Sequence, residues 1–290
     1  MAANLYSERD KNIRRTWMLM IVFLLVVGGL GWIFSYVADS YAIFVGAIVF
    51  SFILNIGSYW YSDKIVLAMS NAHEVDVGSS EGREIYRLVE NLSITAGLPM
   101  PKVYVIPDSA MNAFATGRDP EHGVIAVTTG LLQRLDKSEL EGVLAHELGH
   151  IGNRDTLIQT VSVILVGLVA LLSDWFLRFS IFGRRNNDND KGQLGVILAV
   201  VALVLAILAP IFVQLLHLAI SRKREYLADS TAALLTRYPD GLARALAKIS
   251  NDPEILESAN RATAHMYISN PFKAQGISAL FSTHPPIQKR

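Results

Sequence analysis

The sequence contains no cysteine among its 290 residues. This absence excludes disulfide bonds and thiolate metal ligands, so any metal site has to use histidine and carboxylate side chains. Charged residues are also scarce, at 18% of the chain, where a soluble protein has about 25%. The 26 basic and 26 acidic residues cancel, and a chain without net positive charge lacks the field that attracts nucleic acids. We therefore expect no nucleic-acid partner.

Apolar residues are abundant instead, at 51% of the chain, and they are concentrated in four long runs. Each run has about the 20 residues that a helix needs to cross the hydrocarbon core of a bilayer. The runs span residues 16–38, 41–61, 157–176 and 194–219. In the first two, Gly28, Gly29 and Gly31 predict close helix packing, and Asn55 predicts a hydrogen bond between helices. The sequence therefore predicts four transmembrane helices in two hairpins.

The runs divide the chain into four segments. Residues 1–61 form an N-terminal transmembrane hairpin and residues 157–219 a second one, while residues 62–156 and 220–290 form two parts of a cytosolic unit. Four basic residues precede the first run: Arg9, Lys11, Arg14 and Arg15. By the positive-inside rule they place the N-terminus in the cytoplasm. The basic loop between runs three and four opposes this orientation mildly, so these runs either cross despite the charge or do not fully span.

The polar segments predict a fold that is mainly α with a small β-sheet. "REIYRLVENLSITAGLP" has helical spacing, "PKVYVIPDS" is rich in β-formers, and "GVIAVTTGLLQRL" indicates a strand that leads into a helix. "DKSELEGVLAHELGH" is typical of a helix, and Ser138 with Glu141 predicts a capping box at its start. "YLADSTAALLTR" and "GLARALAKIS" predict two further helices after run four.

The stretch "GVLAHELGHIGNRD" carries an HExxH motif. His146 and His150 are four residues apart, so on a helix they project from one face and can reach one ion. Glu147 lies beside the metal and can accept a proton from a water that the metal activates. Zinc suits two imidazoles and one carboxylate with a position left open. A third ligand is therefore required elsewhere in the chain.

Glu225, in "SRKREYLADS", is the best candidate for this third ligand. If runs three and four form a membrane hairpin, the chain leaves near His150 and returns near Glu225 at the same membrane face. Asp229 lies one turn further on, where it can hold a ligand imidazole by its outer N–H, and Arg222 lies one turn before Glu225 and can orient a carboxylate. The alternative is a basic juxtamembrane cluster that binds lipid head groups.

At these residues the chain resembles HtpX, a family of membrane zinc metalloproteases related to the CAAX prenyl proteases and to other gluzincins. The motifs that carry the resemblance occur in the family's order: "AMNAFATG", "GVIAVTTGLL", "HELGHIGNRD", "SRKREYLAD", "ATAHMYISNPF" and "FSTHPP". The resemblance implies an α+β zincin-like protease domain in which His146, His150 and Glu225 bind one zinc ion and Glu147 is the catalytic acid/base. It also implies an inner-membrane enzyme with a cytoplasmic site, which cuts misfolded or damaged membrane proteins alongside a membrane AAA+ protease such as FtsH.

Two further segments gain a role from this resemblance. The segment that contains Asn112, Ala113 and Phe114 resembles an edge strand that pairs with extended substrate, which reads backbone rather than sequence; the alternative is an ordinary loop. His284, in "STHPP", resembles a residue that approaches the zinc, where it stabilises the oxyanion or plugs the open position. The alternative for His284 is a rigid surface turn.

Three other functions compete with the zinc endopeptidase. A transporter or channel is disfavoured because the four runs carry no charged residue deep in a span, except for Asp174 near an end. A non-proteolytic zinc-binding membrane scaffold or chaperone has no need of Glu147, since structural zinc sites use four protein ligands. A prenyl-protein endopeptidase would use the same chemistry and stays an alternative.

Overall fold

The computed structural model describes residues 5–37, 39–165, 167, 222–259, 263–264, 266–269, 271 and 290. The first element, α1 (Leu5–Val37), and the second, α2 (Tyr41–Trp60), form a helical hairpin. Within it, the stretches Asp10–Tyr36 and Tyr41–Trp60 are long and apolar enough to cross a membrane. The first two apolar runs are therefore helices as predicted, although α1 begins well before the first run.

Small and polar residues hold this hairpin together. A Cβ added at Gly31 would lie 2.4 Å from the Cβ of Ala47, and one added at Gly28 would lie 2.9 Å from Ile48. Among the described residues, nothing lies within 4 Å of a Cβ added at Gly29. The prediction of close packing is thus confirmed for Gly28 and Gly31, whereas for Gly29 it stays a prediction, since the described part of α2 does not contact it. Asn55 donates to the carbonyl oxygen of Met20 at 3.4 Å, which confirms the predicted bond between the two helices.

A four-stranded mixed sheet follows the hairpin, after α3 (Ser62–Met69). Its strands are β1 (His73–Glu74), β2 (Lys102–Ile106), β3 (Ala113–Thr116) and β4 (Val124–Thr128), with α4 (Ser80–Ala96) between β1 and β2. The order is β1-β2-β4-β3; β2 and β4 are parallel, and the other pairs are antiparallel. β3 is therefore an edge strand, the position that the family resemblance implies.

Helices cover this sheet and enclose the main hydrophobic core. After β4 come α5 (Thr129–Arg134), α6 (Lys137–Gly152), which carries the HExxH motif, and α7 (Asp155–Leu165). The C-terminal part supplies α8 (Arg222–Thr236) and α9 (Pro239–Asn251), both packed on α6. Gly149 of α6 allows this approach, because a Cβ added there would lie 3.3 Å from the Cβ of Thr231 in α8.

The cap of α6 differs from the prediction. Asp136, not Ser138, is the N-cap residue, and it forms the capping box with Glu139 rather than with Glu141. Ser138 lies inside the helix and donates to Asp136. The Glu139 carboxylate is buried, and the Lys248 ammonium of α9 approaches it to 2.6 Å. The residue that completes the capping box is therefore also held by a tertiary ion pair.

The third apolar run begins as the helix α7. Its buried residues Leu157, Ile158, Val161 and Leu165 pack against Leu19, Met20 and Phe23 of α1. The N-terminal hairpin is thereby attached to the segment that directly follows the HExxH helix. Apart from residue 167, the rest of the third run and the whole fourth run lie outside the described residues, so within those residues two candidate membrane spans are found rather than the four predicted.

Candidate active site

His146 and His150 lie one turn apart on α6, and both are buried. Their Nε2 atoms are 3.1 Å from each other. The helical spacing produces this arrangement, because residues four apart share one face of a helix. The imidazoles therefore present two nitrogen donors to one point.

Glu225 of α8 approaches the same point from the opposite side. Its carboxylate oxygens lie 3.8 Å from Nε2 of His146 and 3.6 Å from Nε2 of His150. Ligands about 2.0–2.1 Å from a tetrahedral zinc ion lie about 3.3–3.4 Å apart, which the three separations bracket. All three donor atoms fall within 4.8 Å of one another. The donor set and its dimensions therefore fit a tetrahedral metal ion.

Two aspartates hold the histidines by their outer nitrogens. Asp229 Oδ1 lies 3.0 Å from Nδ1 of His146, and Asp155 Oδ2 lies 3.0 Å from Nδ1 of His150. Since a carboxylate only accepts hydrogen bonds, each Nδ1 carries the proton and each Nε2 is directed at the metal position. The sequence predicted this role for Asp229 but gave none to Asp155, whose only signal was its place in "GNRD" after the motif.

The pKa values of the two histidines move in opposite directions. Burial lowers the pKa of His146 to about 4; the hydrogen bond to Asp229 opposes this, and the positive charge of Arg290 offsets part of that opposition. Burial also lowers the pKa of His150, but the hydrogen bond to Asp155 and the charge of Glu225 overcome it and raise that pKa to about 9. The pair therefore shares one proton at neutral pH.

Glu147 is buried, with 2% of its surface exposed. Its charge contributes to the raised pKa of both His150 and Arg290, so its carboxylate belongs to the same cluster. Arg290 was not predicted from the sequence, and its guanidinium binds both oxygens of Asp229 at 2.9 and 2.7 Å and lies 3.4 Å from Glu225. One arginine thus balances part of the negative charge that the cluster gathers.

The arginine predicted to orient a carboxylate is exposed, and a neighbouring arginine is buried instead. Arg222 lies on the surface at the start of α8, whereas Arg224 is 3% exposed. Arg224 lies 3.6 Å from Asp155 and donates to Asn12 of α1 at 3.1 Å. The sequence signal for Arg222 was helical spacing alone, which does not show which face of α8 meets α1.

The predicted substrate-binding residues lie at the edge of the sheet and are buried. Asn112 donates to the carbonyl oxygen of Ser269 at 3.0 Å, and the Ala113 carbonyl accepts from the N–H of Ile268 at 2.9 Å. Phe114 packs edge-on against Tyr267, with ring centroids 5.2 Å apart. Residues 267–269 therefore cover part of this edge.

One predicted residue and a second acidic group lie apart from this cluster or outside the described chain. His284 lies outside the described residues. In the described part of the chain, Asp119, Glu121 and His122 also bring three ligand atoms together, but they are largely exposed and Arg118 contacts the His122 ring. A cation that is already in contact with this group disfavours a second metal site there.

Comparisons with known proteins agree with this geometry. A model of peptidase family M48 matches residues 79–290. A Protease HtpX homolog of Dictyoglomus thermophilum is 46% identical over 291 residues, which cover 98% of this chain and 92% of that protein. One of Thermococcus sibiricus is 45% identical over 280 residues, which cover 94% and 93%.

Among solved structures, the crystal structure of S. mikatae Ste24p matches with a TM-score of 0.50 and 20% identity. The match covers 94% of this chain, which spans 65% of the Ste24p chain, and it shows a shared fold. The relatives confirm the resemblance to HtpX, and the match to Ste24p shows that the two chains share a fold. The chain therefore belongs to peptidase family M48, and it is a metallopeptidase related to the HtpX proteases.

Proposed function

We propose that this chain is an integral-membrane zinc endopeptidase that cleaves misfolded or damaged membrane proteins at the cytoplasmic face of the inner membrane. The observation that carries the proposal is the buried His146–His150–Glu225 cluster, with Glu147 beside it. A structural zinc site uses four protein ligands, whereas a catalytic site keeps one position open. Three donors beside a buried glutamate match the catalytic type.

The residues of the site would have three roles: holding the metal, transferring a proton and orienting the ligands. A zinc ion held there would supply the Lewis acidity that activates water and polarises a peptide carbonyl. Glu147 takes the proton from the attacking water and then delivers it to the departing amine as the C–N bond breaks. Asp229 and Asp155 keep the imidazoles in the tautomer that leaves Nε2 free. His284 remains a proposed oxyanion donor or plug.

The proposed substrate site is the outer edge of β3, next to the HExxH helix that β3 contacts. Pairing with an edge strand recognises the backbone of an extended substrate and depends little on its sequence, which suits an enzyme that clears damaged proteins. Asn112, Ala113 and Phe114 contribute by shaping this edge. Because Ile268 already donates to Ala113, a substrate strand pairs beyond Ala113 or displaces residues 267–269.

The proposed membrane placement is supported by where α1 meets the peptidase unit. The basic residues Lys11, Arg14 and Arg15 and the buried Asn12 lie in the same turns of α1, and Asn12 contacts Asp155 beside the metal cluster. With α1 as a membrane span, its N-terminus and the site would share one side of the bilayer, and the basic residues favour the cytoplasmic side. Cooperation with a membrane AAA+ protease is proposed on the family resemblance alone.

Purified wild type and Glu147→Gln test this function. Wild type should contain one zinc per chain and degrade casein, and a chelator should abolish the cleavage. Glu147→Gln should keep the zinc and lose about 10²–10⁴-fold in turnover, the usual contribution of a general acid/base.

Other results would assign another function. Zinc binding without cleavage in the wild type would favour a scaffold or chaperone, and loss of zinc in Glu147→Gln would make Glu147 a ligand. Cleavage of a prenylated peptide but not of casein would favour a prenyl-protein endopeptidase.

A further inference from the structure

A buried asparagine on the N-terminal helix lies at the centre of a hydrogen-bond network that reaches the metal cluster. Asn12 of α1 is 0% exposed. Its side-chain amide donates to Asp155 Oδ1 at 2.7 Å and to the carbonyl oxygen of Asn153 at 3.2 Å. Its side-chain oxygen accepts from Arg224 at 3.1 Å. One amide thus joins α1, the junction of α6 and α7, and α8.

Asp155 extends this network to a ligand of the metal site. It is 0% exposed, and it gives one oxygen to Asn12 and the other to Nδ1 of His150. On the other side of Asn12, Arg224 directly precedes Glu225 in α8. Asn12 therefore bonds Asp155, which holds the ligand His150. It also bonds Arg224, which directly precedes the ligand Glu225.

The side-chain chemistry at position 12 is specific. The amide of Asn12 donates to the carboxylate of Asp155 and accepts from the guanidinium of Arg224, which needs a side chain with both a donor and an acceptor. A carboxylate would repel Asp155, and an apolar side chain would leave both buried charged groups short of a partner. The apolar contact of Leu19 and Phe23 with α7 holds α1 in the register that this arrangement needs.

We propose that Asn12 is a positioning residue for the metal site, so that docking of α1 against α7 and α8 completes the coordination geometry. The proposal rests on the function proposed above for the cluster. Partners that orient a ligand typically change metal affinity about 10–100-fold when they are lost. Asn12 acts on His150 through Asp155 and on the α8 backbone at Glu225 through Arg224.

Zinc affinity of the full chain in detergent, measured by competition with a chelating dye, tests this role. Asn12→Ala should bind zinc about 10–100-fold more weakly than wild type. Asn55→Ala is the matched control, because it removes another buried asparagine of the same hairpin whose amide bonds Met20 and not the metal network. It should leave the zinc affinity within about twofold, and thermal melting of both variants separates loss of fold from loss of positioning.

Exchange of the two side chains at positions 12 and 155 tests the same contact without removing atoms, as Asn12→Ala does. Asn12→Asp should weaken zinc binding because two carboxylates face each other, and Asp155→Asn should weaken it because two amides compete. The variant with both substitutions restores a donor–acceptor pair at this contact. Its amide at position 155 can accept from His150, and its carboxylate at position 12 can accept from Arg224. This double variant should bind zinc more tightly than either single variant.

Two results would overturn the proposal: unchanged zinc affinity in a folded Asn12→Ala, or strictly additive losses in the double variant. Zinc binding is measured without peptide hydrolysis, so either result stands apart from a failure of the proposed proteolysis, which Glu147→Gln and the chelator address.

Discussion

At the residue scale, the two histidines of one motif have opposite electrostatic surroundings. The pKa of His146 is lowered to about 4 and that of His150 is raised to about 9, against an ordinary value of 6.5. Below pH 9 the proton therefore stays on His150, and it lies between Nε2 atoms that are 3.1 Å apart. A metal ion at this position has to displace it, since imidazole binds metals in the neutral form.

We expect about one proton to be released per zinc bound at pH 7, and fewer above pH 9. The apparent zinc affinity should accordingly rise with pH up to about 9, because the raised pKa makes the proton a competitor below that value. Titration calorimetry in buffers of different ionisation enthalpy measures the release. Asp155→Asn should reduce it, because the bond that holds the proton on His150 is weakened. Binding without proton release at pH 7 would contradict the raised pKa.

Individual residues also show where local reasoning reaches its limit. The pair His146 and His150 could be predicted because the spacing of four lies within one helix. The choice between Arg222 and Arg224 could not, because it depends on the orientation of α8 against α1. Asn12 gave no signal as one polar residue just before an apolar run, and Arg290 gave none either.

At the element scale, close packing of α1 and α2 depends on particular glycines. A Cβ at Gly31 would lie 2.4 Å from that of Ala47, whereas one at Gly29 would meet no described residue within 4 Å. Two glycines in one helix, two residues apart, thus differ only in the face that they occupy. The sequence predicted the packing but could not tell the two faces apart.

Gly31→Ala should destabilise the hairpin by about 1–3 kcal/mol, the usual cost of overpacking. Gly29→Ala is the control and should be neutral or stabilise by up to about 1 kcal/mol, because alanine is the better helix former. Thermal melting of the purified chain in detergent distinguishes them. Equal effects of the two substitutions would show that this face of α1 does not pack on α2.

At the scale of the whole molecule, α1, α7 and α8 meet beside the metal cluster. α1 packs on α7 through Leu19 and Phe23 and bonds α8 through Asn12. The peptidase unit is therefore attached at the start of the first candidate span rather than connected to it by a free linker. In the proposed membrane arrangement, with α1 and α2 as spans, residues of the α1–α2 turn would lie across the bilayer from the peptidase unit.

The absence of cysteine allows a direct test of this topology. Thr95→Cys on the exposed face of α4 should react with an impermeant maleimide only after the membrane is permeabilised. Ser40→Cys, in the turn between α1 and α2, should react in intact cells. Both side chains are small and polar. Ser40 makes no side-chain capping bond, and Thr95 bonds only within its own helix, so the substitutions are conservative. The reverse labelling pattern would place the metal cluster outside.

The sequence by itself determined the elements whose signals are local. Apolar runs, strand patterns and the HExxH spacing are read within about 20 residues, and Glu225 followed from the membrane hairpin expected between it and His150. Only the tertiary structure decided which distant groups complete the site: Asn12, Arg224 and Arg290. Their contacts join segments far apart in the chain, and they depend on how whole helices pack, which no spacing within one segment encodes.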